Sequence, residues 1–196
     1  MNKSDKIQTI SFVTRTAMYI YPINKDTITS YVNGFIVARK GNFKLTELIR
    51  NLLTSKYKIQ YSNLGWVGQV EKFAEKLKIN WENAFKIVTL EIIFNDSILD
   101  SEVVKLYKSR INTLIDRIEV GHLYFGEVWM DEWKTICLVK KKWFRNLWTN
   151  QEIKILSKID KEIRNERIYK NKKKRIPTDI LIECKIRFTE TNKKLH

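Results

Sequence analysis

The chain has 196 residues, 37 Lys or Arg against 22 Asp or Glu, and a formal net charge of +15. A hydrophobic content of 43%, with 9 Phe, 8 Tyr and 6 Trp, excludes a wholly disordered chain, because disordered sequences lack the aromatic and branched side chains whose burial offsets ordering entropy. No apolar run approaches the about 18 residues of a membrane span, and the charged opening Met1-Asn2-Lys3-Ser4-Asp5-Lys6 leads into no signal-peptide core, so a cytoplasmic protein is expected.

Residues 1–118 read as helices in series. Ile28, Tyr31, Val32, Phe35 and Ile36 recur at i, i+3, i+4, i+7 and i+8, one helical stripe, with Asp26 as the expected cap of the first turn. After Gly41-Asn42 the same spacing returns in Leu45, Leu48, Ile49, Leu52 and Leu53, and Trp66, Val70, Phe73, Ala74 and Leu77 make a third helical stripe. Asn80 is placed to cap a fourth helix, Trp81–Phe94, whose apolar residues surround the axis and predict a largely buried element; residues 87–93 also have strand propensity, but the length of the segment favours helix. A fifth helix, residues 101–118, carries Val104, Tyr107, Ile111, Leu114, Ile115 and Ile118 on one side.

The period then changes. Residues 122–130 and 134–139 read as strands of a hairpin around Asp131-Glu132-Trp133. Thr149 with Glu152 has the spacing of a capping box, and Ile153, Leu156, Ile159 and Ile163 give the following helix an apolar side. Ile182, Cys184, Ile186 and Phe188 alternate with polar residues, a half-buried strand that would complete a small antiparallel sheet. The expected class is therefore α+β: a helical part, residues 1–118, packed on a basic part, 119–196, that holds the sheet and one long helix. The change of pattern near residue 119 has no flexible linker.

The surplus charge is uneven. Residues 131–196 hold 19 Lys or Arg against 9 Asp or Glu, a net of +10, whereas residues 1–130 net only +5. Such a field attracts anionic surfaces without identifying them. Lys140, Lys141, Lys142 and Arg145 interleave with Trp143, Phe144, Leu147 and Trp148, the residue types that track phosphates and stack on bases. A second reading has these aromatics packing the strand-to-helix junction while the lysines solvate its outside. A further run, Lys172, Lys173, Lys174 and Arg175, precedes Pro177 and reads equally as an anion-binding patch or as cations complementing a helix C-terminus.

Asp179, Glu183 and Lys185 share one face of the last strand and resemble the end of a metal-dependent nuclease motif, but the usual upstream carboxylate spacing is missing, and a solvated charge pair accounts for them. Trp148-Thr149-Asn150-Gln151-Glu152 resembles the opening of a Myb-like helix without its later tryptophans, and the capping box explains it better. His122 and His196 have no zinc-site spacing with Cys137 and Cys184, and the two cysteines read as buried thiols. No metal or cofactor is expected, and no catalysis.

The segment Arg15-Thr16-Ala17-Met18-Tyr19-Ile20, the pair Asn33-Gly34, the Leu45 to Leu53 stripe and Trp66 together resemble, over residues 7–95, a loose set of small bacterial proteins with an Arg-x-x-Met-Tyr-Ile opening. Thr16-Ala17 departs from the Pro and small residue common there, and Phe35 from the Tyr. Some of that set look like immunity proteins, so the resemblance implies a stoichiometric inhibitor of a toxin and supplies no active-site residues. Met18, Tyr19 and Ile20 are expected to plug the core at a helix entrance, and Gly34 to let two helices approach. The expected function is a binding protein that occludes an acidic protein partner through the basic patch. The alternative is a nucleic-acid-binding protein of a phage or mobile element using the same patch.

Overall fold

The computed structural model describes residues 1–95, 99–120 and 126–164. Its chain forms two compact units, residues 1–103 and 104–196, with the division inside the long helix that follows Asp100. The sequence pattern changes later, near residue 119.

The first unit is built round a helix most of whose residues are buried. Helices α1 (Lys3–Thr14), α2 (Lys25–Ala38), α3 (Leu45–Ser55) and α4 (Gly65–Leu77) all pack against α5 (Trp81–Phe94). The apolar girth of α5 explains this: Ala84, Phe85, Val88, Leu90 and Ile93 are all buried, and each outer helix covers part of it. Asn80 caps α5 as its spacing predicts, its side chain accepting from the Asn83 amide at 2.9 Å. Trp81 stacks on Phe85 at 5.6 Å and its indole donates to the Val67 carbonyl at 3.0 Å, which ties α5 to α4. Gly68 is required where α4 meets the preceding turn, since a Cβ there would collide with the Ser62 side chain.

Three local expectations are corrected. Asn24, not Asp26, caps α2, because its side chain and that of Thr27 satisfy each other's backbone amides in a reciprocal box; Asp26 sits in the first turn, exposed. Met18 and Tyr19 do not plug the core: Met18 closes a 3₁₀ turn, Thr16–Met18, Tyr19 follows it, and both side chains are exposed. Gly34 faces open space, and a Cβ at that position would meet nothing within 4 Å, so it serves no close helix approach. Helix α1 has no counterpart among the predicted elements. Its inner face carries Asp5, Lys6, Thr9 and Thr14 among Ile10, Phe12 and Val13, which breaks the apolar period.

In the second unit the expected sheet is overturned. Helix α6 (Ser101–Val120) begins at Asp100, whose carboxylate accepts from the Glu102 amide at 2.9 Å. The region predicted as a hairpin is instead helix α7 (Gly126–Ile136), followed by the single turn α8 (Lys142–Arg145) and by α9 (Asn150–Arg164). Trp133, Ile136 and Cys137, at i, i+3 and i+4, are fully buried, and α7 packs on α9. Short apolar runs do not distinguish a buried helix from a buried strand, and here the tertiary partner is a helix. Among the described residues the fold is all-α. The strand expected from Ile182 to Phe188 lies outside them.

Candidate functional site

The basic segment begins where α7 ends. Lys141 adopts an extended backbone before α8, and its amide donates to the Leu138 carbonyl at 2.8 Å, turning the chain. The turn sets the aromatic residues inward. Trp143, Phe144, Leu147 and Trp148 are all buried, none more than 7% exposed. Phe144 lies 5.9 Å from Trp143 and 5.8 Å from Trp148, and Tyr107 of α6 meets the edge of Phe144 at 6.2 Å. Tyr107 is itself fully buried and donates to the Ile136 carbonyl, so burial, with Cys137 nearby, holds its hydroxyl well above its ordinary pKa. These rings fix a helical junction and offer no open face to a stacked base.

Cations take the other side. Lys140, Lys142 and Arg145 are exposed and Lys141 is half-buried. Helix α9 extends the pattern: its buried side is Glu152, Ile153, Ile155, Leu156, Ile159, Asp160 and Ile163, whereas Lys154, Lys158 and Lys161 are exposed at i, i+4 and i+7. At a rise of about 1.5 Å per residue those three lysines span roughly 10 Å of one helix face, within about one Debye length, so their fields add.

Two carboxylates of α9, Glu152 and Asp160, are turned away from these lysines. Thr149 and Glu152 form the predicted capping box, with the Thr149 amide donating to Glu152 at 2.6 Å and the Glu152 amide to the Thr149 hydroxyl at 3.2 Å. Glu152 also lies 3.7 Å from Lys108 Nζ, which sits 4.6 Å over the Trp148 ring. Asp160, buried, accepts from the Trp133 indole at 3.1 Å. Glu152 and Asp160 are thus committed inside the unit, and Lys154, Lys158 and Lys161 are left to solvent. Such a face recognises anions by charge and by donated hydrogen bonds.

Of the residues expected to bind, the structure gathers Lys140, Lys142 and Arg145 on the outside of the α8 turn and withdraws Trp143 and Trp148 into the core. Lys172, Lys173, Lys174 and Arg175 lie outside the described residues, as do Asp179, Glu183, Lys185, His122, His196 and Cys184. Cys137 is a buried thiol. The lysine stripe of α9 is absent from the sequence-derived site. Its signal was nevertheless present, as the complement of the apolar set Ile153, Leu156, Ile159 and Ile163.

Among the described residues no three His, Cys, Asp or Glu side chains gather as metal ligands, and no helix is long and apolar enough to cross a membrane. No protein-family model, curated protein or solved structure matches the chain.

Proposed function

We propose that this chain is a non-catalytic binding protein of the immunity type, which docks an acidic protein partner such as a bacterial toxin through the cationic face of its second unit. One observation carries the reading: α9 turns Glu152 and Asp160 inward and Lys154, Lys158 and Lys161 outward. Fields of this kind raise the encounter rate with an oppositely charged partner and orient it, while apolar contacts elsewhere supply affinity. Burial of Trp143 and Trp148 removes the stacking component on which the nucleic-acid alternative depended.

The test is co-expression with the product of the adjacent reading frame. The expected result is growth protection and a stoichiometric complex whose association slows about 10-fold or more when Lys154, Lys158 and Lys161 are changed to Glu. Absence of any protein complex, together with duplex binding whose log affinity falls linearly with log salt, would replace this reading with nucleic-acid binding.

A further inference from the structure

The segment that joins α3 to α4 presents cations and an exposed ring in one short loop. From residue 48 to residue 70 the chain has Arg50, Lys56 and Lys58 and no Asp or Glu. Within it Tyr61 is 59% exposed, and the Arg50 guanidinium lies 4.8 Å over its ring. We propose that Tyr61, Arg50 and Lys58 form a docking surface for single-stranded nucleic acid, with a base stacked on Tyr61 and the two cations on neighbouring phosphates.

The loop is held on both sides of these residues. Ile59 is buried, its amide donates to the Leu53 carbonyl at 3.0 Å, and its carbonyl accepts from the Gln69 side-chain amide at 3.1 Å. The Tyr57 hydroxyl donates to the buried Glu91 at 2.7 Å, and the Tyr57 carbonyl accepts from Lys76 Nζ at 3.0 Å. Beyond Tyr61 the Gly65 amide donates to the Ser62 carbonyl at 2.8 Å. Lys58 and Tyr61 therefore project from a fixed backbone, and little ordering entropy remains to be lost on binding.

The local charge is not cancelled. Glu91 is buried and meets Lys56, Glu47 lies one turn before Arg50 and 3.8 Å from Lys44, and Glu75 is exposed beside the equally exposed Lys76. Arg50 and Lys58 have no carboxylate partner among the described residues, so their charge is left for a ligand.

The ring decides the class of anion. Cations alone would serve an acidic peptide, whereas an exposed tyrosine with a guanidinium over it is a platform on which a base stacks. Gln60 and Asn63, exposed on either side of Tyr61, carry amides of the kind that hydrogen-bond to base edges. Bases of a duplex are already stacked on one another, so the strand must be single. This surface belongs to the first unit and the α9 lysines to the second, so each reading fails on its own evidence.

The experiment is fluorescence anisotropy of the full chain with labelled oligouridylate and oligothymidylate, each about 12 nucleotides long, and with a DNA duplex of the same length. Tyr61→Ala should weaken single-strand binding about tenfold and duplex binding less than about twofold, while Tyr61→Phe should bind like the parent. The pair Arg50→Ala and Lys58→Ala should make the slope of log affinity against log salt shallower by about 1.4 on single strands, the value for two phosphates. All these positions are exposed, and the circular dichroism spectrum should be unchanged. Binding to oligouridylate alone would make RNA the ligand and to oligothymidylate alone DNA; either supports the proposal. Equal losses on single strand and duplex, or no loss, would show adsorption through general charge and overturn it, as would failure of the parent to bind either single strand. An oligoglutamate of equal charge that binds as tightly and is weakened by Tyr61→Ala would assign the surface to an acidic protein and also overturn it.

Discussion

Glu91 is the most consequential single residue of the first unit. It lies on α5, fully buried, and accepts from Lys56 Nζ at 2.5 Å and from the Tyr57 hydroxyl at 2.7 Å, so it anchors the chain between α3 and α4. Changing Glu91 to Ala should lower stability by about 2 to 3 kcal/mol in urea unfolding: Tyr57 loses its acceptor, whereas Lys56, half-exposed, recovers hydration. Burial, and then the carboxylate of Glu91, hold the Tyr57 hydroxyl well above its ordinary pKa, and burial raises Tyr31 and Tyr107 as well. The unfolded chain therefore releases these protons first as pH rises. Their contribution is intact below about pH 10 and is lost above it, so urea midpoints should fall in that alkaline range. Tyr107→Phe should be less stable at neutral pH and show a shallower alkaline decline. None of these roles was legible in the sequence, because Glu91 and Tyr107 acquire partners 34 and 29 residues away.

At the level of elements, the period was readable wherever the packed face was mostly apolar, and the caps Asn80 and Thr149 with it, whereas the cap of α2 was placed at Asp26 instead of Asn24. Helices α2 to α6 begin and end close to where their stripes do, and α5 matches residue for residue. The Thr149 box of α9 is equally local, and Thr149→Ala should cost about 1 kcal/mol, seen as a lower thermal midpoint. Helix α1 was illegible for the opposite reason. Its buried hydroxyls Thr9 and Thr14 satisfy themselves on the carbonyls of Asp5 and Ile10, at 2.6 Å each, and Asp5 lies 3.6 Å from Arg39 of the chain just after α2. A polar residue with a partner inside the core looks, in sequence, like a surface residue. Helix α7 was misread because the apolar run around Trp133 and Ile136, with Cys137 just beyond, is too short to favour one period over another.

For the whole molecule the sign and unevenness of charge were fixed by composition, but the direction in which the charges point was not. Replacing Lys154, Lys158 and Lys161 by Glu should leave the urea midpoint nearly unchanged, within about 0.5 kcal/mol, because exposed side chains away from special contacts contribute little. The same change should slow association with an acidic partner and reduce its dependence on salt, measured by stopped flow across a salt series. What the sequence determined by itself is local: helix period, capping and net charge depend on residues within a few positions of one another. The tertiary structure alone decided that residues 126–136 are helical, that Trp143 and Trp148 are withdrawn from solvent, and that Glu152 and Asp160 of α9 turn inward while Lys154, Lys158 and Lys161 face out. Each of those outcomes depends on which distant side chain supplies an apolar surface, a hydrogen bond or a countercharge, and linear order does not contain that distance.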